Sequence, residues 1–125
     1  MEINDTTSII IEECIYIHRE LGAGLLESVY EEVLSYRLTK RRLFVERQKG
    51  IPVFFEEVKM EVGFRADLIV ENKVIVELKS LDIIPPVHFK KVVTSLKLTK
   101  ITVALVINFN EILLKNEIKR IVNNY

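Results

Sequence analysis

The chain has 125 residues, 49% hydrophobic and 29% charged, a balance that suits one globular domain with a single core rather than a disordered segment. Lysine plus arginine and aspartate plus glutamate both number 18, so the formal net charge is zero and nucleic-acid binding would need a local basic patch. The lone Cys14 excludes an internal disulfide and a cysteine-built zinc cluster. No secretory signal fits Met1 to Asp5 and no apolar run is long enough to span a membrane, so a soluble cytoplasmic protein is expected.

Asp5, Thr6 and Ser8 offer N-cap choices for a first helix reaching about Leu21. Ile10, Cys14, Ile17 and Leu21 recur at helical spacing, and Ile11 and Ile15 widen the stripe. Cys14 on that stripe reads as a buried structural thiol rather than a nucleophile. Gly22-Ala23-Gly24 stops the helix, because glycine adopts the backbone angles of a helix end without strain. A second helix, from about Leu26 to Arg41, carries Val29, Tyr30, Val33, Leu34 and Leu38 inward.

The period then changes. Leu43 to Arg47, Ile51 to Phe55, Val58 to Val70 and Val74 to Leu78 read as strands rich in Val, Ile and Phe. Pro52, which has no N–H to give a neighbour, suits an edge strand. Pro85-Pro86 introduces a third helix from about Val87 to Leu98. Ile101 to Ile107 is an apolar strand buried on both faces, and the tail from Glu111 to Val122 reads as a short strand or turn and then a helix. With no internal repeat or linker, this order gives an α/β (α+β) sandwich around a mixed β-sheet, in a single domain spanning 1–125.

One segment breaks the apolar rule. Glu77 and Lys79 interrupt a strand of Val, Ile and Leu, where an unpaired charge is costly. Side chains alternate along a strand, so Glu77 and Lys79 share one face, as Arg65 and Asp67 do on the preceding strand. A three-residue turn, Glu71-Asn72-Lys73, pairs Val70 with Val74 and sets Asp67 opposite Glu77 and Arg65 opposite Lys79. A two-residue turn would slip the register by one and send the two acids to opposite faces. In the first register the acids suit magnesium, which takes a few carboxylate oxygens and keeps waters, while Lys79 offers a compact charge to a phosphate. The plainer alternative is a set of cross-strand ion pairs on an exposed face.

Asp67…Glu77-Leu78-Lys79 resembles the active-site pattern of the PD-(D/E)XK nuclease superfamily. Gly24-Leu25-Leu26-Glu27-Ser28-Val29-Tyr30 is similar to the motif that names the GxxExxY family within it. The likeness extends to His18-Arg19-Glu20-Leu21-Gly22, Gly63 to Val70, Leu96-Lys97-Leu98-Thr99 and Ile107-Asn108-Phe109-Asn110. It implies a restriction-endonuclease-like core in αβββαβ order with an extra N-terminal helix. It also implies Asp67 and Glu77 as ligands of Mg²⁺ or Mn²⁺, Lys79 as the catalytic lysine, and Glu27 as a helical acid that completes or water-bridges the metal shell. Gly24 would allow the tight helix entry, and Tyr30 would pack or hydrogen-bond near the site. The implied activity is hydrolysis of DNA phosphodiester bonds.

Two departures favour an alternative. Ala66 replaces a proline before the first acid, a tolerable change, but Lys91 and Ser95 stand where related members carry glutamine and tyrosine. A catalytically inactive nuclease-fold module that binds nucleic acid or protein fits those losses. Arg65, His88, Lys90 and Lys91 are the candidate nucleic-acid contacts, and Lys40-Arg41-Arg42, Arg47-Gln48-Lys49 and Lys115 with Lys119-Arg120 form further basic clusters. His18, next to a helix end, is expected to be structural. A homodimer through Phe54, Phe55 and Phe64 is compatible with either reading, although core packing is the simpler place for them.

Overall fold

A computed structural model describes residues 1–110 and 114–123. Two helices, α1 (Ile3–Leu21) and α2 (Glu27–Lys40), precede three strands, β1 (Val45–Phe55), β2 (Val58–Val70) and β3 (Val74–Lys79). Helix α3 (Pro86–Leu98), strand β4 (Val103–Asn108), a 3-10 turn (Leu114–Glu117) and strand β5 (Ile118–Val122) complete the order. The strands form one mixed sheet in the order β1-β2-β3-β4-β5, with only the central β3–β4 pair parallel. This is the α+β, restriction-endonuclease-like arrangement expected from the chain.

Helices cover both faces of the sheet. Ile10, Cys14 and Ile17 of α1 and Tyr30, Leu34 and Leu38 of α2 pack on Leu68, Val76, Leu78, Leu105 and Ile107. Val92 and Leu96 of α3 pack on Ile69, Ile75, Ala104 and Val106 on the opposite face. Every residue of β4 is therefore buried, as is every residue of β3 except Lys79. Each large apolar side chain so placed contributes about 1.5–3 kcal/mol relative to an exposed one. Against that background the buried Glu77 is a costly exception.

Four details differ from the expectations. Helix α1 begins before Asp5, whose carboxylate reaches back to accept the Glu2 N–H at 3.2 Å from inside the first turn. The two strands expected over 43–47 and 51–55 are one continuous β1, because the long β2 pairs with it from Val45↔Val70 to Phe55↔Val58. Pro52 lies in this edge strand as anticipated. The helix expected near the end of the chain is instead β5. Strand β4, buried on both faces, must satisfy its outer backbone edge, and β5 does so from Ile107↔Ile118 to Val103↔Val122. Glu111, Ile112 and Leu113, assigned to that tail, and the side chain of Lys115 lie outside the described residues. Phe54 and Phe55 are not core residues but stand exposed at the end of the β1–β2 hairpin, whereas Phe64 packs against the α3-side cluster. Among the described residues no helix is long and apolar enough to cross a membrane.

Candidate active site

The β2–β3 turn has the odd length that brings the acids together. Val70 pairs with Val74 across Glu71-Asn72-Lys73, and Glu71 and Asn72 both adopt a left-handed φ of 54°. Glu71 is held there by Phe44, whose carbonyl accepts the Glu71 N–H at 2.8 Å and whose N–H donates to the Glu71 carboxylate at 2.6 Å. The ladder then runs only as far as Leu68↔Val76. One step further, the Asp67 carboxylate takes over: its Oδ2 accepts the Leu78 N–H at 2.8 Å. Arg65 does not pair across to Lys79. It pairs with Gly50 of β1, and its guanidinium donates to the Gln48 carbonyl at 2.9 Å.

Asp67, Glu77 and Lys79 line one cleft of about 180 Å³ with Phe64, Arg65, His88, Lys91, Val92 and Val106. Three elements thus deliver the polar set: β2 the first acid, β3 the second acid and the lysine, α3 the histidine and a second lysine. Glu77 is buried and its Oε1 has no hydrogen-bond partner. Burial first, and then the charge and hydrogen bond of Asp67, push its carboxyl up to about 9, against a smaller opposing pull from Lys79. The His88 ring is half-buried with Nδ1 unpartnered, and partial desolvation together with Lys79 and Lys91 holds its pKa below the ordinary histidine value, Glu27 pulling the other way. Lys90 lies outside this cleft. With Arg65, Lys91 and Thr94 it lines an adjoining open groove of about 520 Å³, so the cationic side chains continue away from the acids.

Glu27 reaches the rim rather than the floor. It opens α2, which packs on the face of the sheet opposite α3, and its Oε2 accepts the Ser80 N–H at 3.1 Å just beyond β3. Ser80 Oγ donates to the Leu25 carbonyl at 2.9 Å, tying the same loop down a second time. Gly24 occupies that loop at φ 96°, a conformation that strains residues with a Cβ. Tyr30 is fully buried and does not line the cleft. Its hydroxyl donates to the Gly22 carbonyl at 2.6 Å and accepts the Leu25 N–H at 3.2 Å, while its ring stacks on Phe109 at 4.2 Å. It shapes the loop that delivers Glu27. Of the two departures on α3, Lys91 faces the cleft and Ser95 is buried, donating to the Val92 carbonyl at 2.7 Å. His18 is buried near Phe109.

Two side chains at the site carry no readable signal in the sequence. Gln48 sits inside a basic triplet, yet its amide nitrogen donates to Glu31 at 2.6 Å and to Asp67 Oδ1 at 3.4 Å. Glu31 looks like any helical carboxylate but is buried, with Arg47 donating to its Oε2 at 3.1 and 3.3 Å. Helical spacing places Glu31 one turn from Glu27, the only hint available.

The donor set fits a hard divalent cation. Carboxylate oxygens are its preferred ligands, and a positive ion beside Glu77 would compensate both the orphaned Oε1 and the forced protonation. Among the described residues no three His, Cys, Asp or Glu side chains lie close enough together to hold a metal ion, so the floor of the cleft offers two carboxylates. No curated protein and no solved structure matches the chain. The family model of the PD-(D/E)XK nuclease superfamily does match it, over residues 4–121. Nearly the whole chain is covered, including both acids, the lysine and every helix and strand around them, and the protein belongs to the PD-(D/E)XK nuclease superfamily.

Proposed function

We propose that the protein is a divalent-metal-dependent nuclease of the GxxExxY type that hydrolyses DNA phosphodiester bonds. The observation that carries this reading is the buried Glu77 carboxyl, whose Oε1 has no hydrogen-bond partner, held beside Asp67 and Lys79 in a cleft open to solvent. Such an arrangement costs stability and belongs to chemistry rather than to folding. Asp67 and Glu77 would hold Mg²⁺ or Mn²⁺, with Glu27 acting from the rim through water. The ion would neutralise phosphate charge and acidify the attacking water. Lys79 presents its ammonium to the scissile phosphate or the attacking water. His88 and Lys91 bound the space where the phosphate sits, and Arg65 and Lys90 hold the neighbouring backbone phosphates without reading bases. The cytoplasm is the compartment that goes with this reading. The test is metal-dependent cleavage of plasmid and single-stranded DNA by wild type, Asp67→Ala and Lys79→Ala; equal behaviour of all three defeats the proposal.

The second reading is a non-catalytic module on the same fold. Two observations favour it: Glu27 stops at the rim, and Ser95 is buried on α3 with its hydroxyl bonded within the helix. Calorimetric titration with Mn²⁺ separates the two. Absence of binding, with unchanged stability on Glu77→Gln, selects the module. The exposed Phe54 and Phe55 would serve a homodimer under either reading.

A further inference from the structure

Strand β1 contains a backbone anomaly next to the acids. Gln48 has φ 47°, in the left-handed region, although the residues on either side pair regularly with β2 as Arg47↔Leu68 and Lys49↔Ala66. A non-glycine residue held there carries a conformational cost on the order of 1–3 kcal/mol, which persists only when surrounding contacts over-determine it.

Those contacts converge on Asp67. The Gln48 amide nitrogen donates to Asp67 Oδ1 at 3.4 Å and to Glu31 Oε1 at 2.6 Å, and the Gln48 carbonyl accepts from Arg65 at 2.9 Å. Glu31 cannot yield, because it is buried and Arg47 holds its other oxygen. The second Asp67 oxygen is fixed independently by the Leu78 N–H at 2.8 Å. Both oxygens of the first acid therefore have a donor on the protein side.

We propose that Gln48 is a positioning residue: braced by Glu31 and Arg47, its amide sets the orientation in which Asp67 meets a divalent cation. This rests on the reading of Asp67 as a metal ligand. Removing a donor to a metal-ligating carboxylate typically weakens metal binding by about 10- to 100-fold.

The decisive variant is Gln48→Gly, which deletes the amide and removes the left-handed strain together. It is studied on the full chain beside Gln48→Asn, which keeps an amide and tolerates the left-handed region. Mn²⁺ affinity is read by calorimetry, the melting temperature by thermal unfolding, and kcat and KM by cleavage of DNA. The expected result for Gln48→Gly is Mn²⁺ bound about 10- to 100-fold more weakly and a lower kcat at unchanged KM, while the melting temperature reads the balance between relieved strain and the hydrogen bond that buried Glu31 loses. Gln48→Asn recovers part of the affinity. Should Gln48→Gly fail to fold, Gln48→Met, which keeps the length of the side chain but neither donates nor carries charge, is read for the same loss. Mn²⁺ affinity within about twofold of wild type in a folded Gln48→Gly overturns the proposal, whether its melting temperature or its KM moves or not. Asp67→Ala distinguishes the two levels. Loss of Mn²⁺ there with retention in Gln48→Gly sinks the role of Gln48 alone, whereas retention in both removes the metal-site reading beneath it.

Discussion

The Asp67 carboxylate accepts the backbone N–H of Leu78 at 2.8 Å, one step beyond the last backbone pair, Leu68↔Val76. A side chain takes up a donor where β2 and β3 cease to pair, so the first acid is both a fastener of the hairpin and a wall of the cleft. Asp67→Asn keeps an oxygen for Leu78 and should unfold like wild type while losing metal affinity. Asp67→Ala leaves the N–H without that acceptor and should cost about 1–2 kcal/mol more. Chemical denaturation of the two metal-free variants checks the difference.

Glu77 predicts a falling stability with pH in the metal-free protein. Its carboxyl is raised in the folded state to about 9 from an ordinary 4.5, so between those values the native state holds a proton that the unfolded chain has released. That contribution is fully present below about 4.5 and has been lost once the pH passes about 9. Glu77→Gln, which cannot ionise, should flatten this limb of a stability–pH profile. Mn²⁺ should also release a proton on binding at neutral pH, seen as a calorimetric enthalpy that varies with the ionisation enthalpy of the buffer.

The acid limb belongs partly to Glu13. Burial raises its pKa, but the hydrogen bonds and charges of Arg37 at 2.7 Å and Arg41 at 3.0 Å outweigh that and leave the carboxyl below its ordinary value. This stability is present above the unfolded value and disappears as pH falls through the lowered folded one. Arg37→Met should strip a buried carboxylate of its closest partner and lower stability near neutrality more than in acid. Unfolding midpoints across the acid range test it.

Tyr30→Phe should separate the motif tyrosine from catalysis. The ring keeps its stack on Phe109, while the hydroxyl bonds to Gly22 and Leu25 are lost, an expected cost of about 1–2 kcal/mol. Cleavage should fall far less than in Lys79→Ala, because the tyrosine touches the loop before Glu27 and not the cleft. Melting curves and initial rates on one DNA substrate decide the point.

Much of this architecture is legible because local pattern and global packing agree. The bounds of β2 and the shared face of Glu77 and Lys79 follow from period two alone, whereas the turn length, open between two and three residues in the sequence, is decided by the Val70↔Val74 pairing. Strand β5 is not legible, since its residues suit either element and the open edge of β4 decides between them. Gln48 and Glu31 stay hidden for another reason. Their roles depend on a backbone bend within a strand and on how the preceding helix folds back against it, and neither leaves a mark in composition or spacing.

The parallel β3–β4 pair bears on the order of events during folding. Every other neighbouring pair in the sheet is antiparallel, whereas β3 and β4 can meet only after the chain has travelled through α3 and returned. Closing such a connection forfeits chain entropy before its contacts form, which makes it the slower step. The acid pair and its turn lie within one hairpin, but His88 and Lys91 arrive with the crossover. The cleft is therefore expected to be completed late: the hairpin brings the two acids together with Arg65 and Lys79, and His88 and Lys91 close over them in the non-local step.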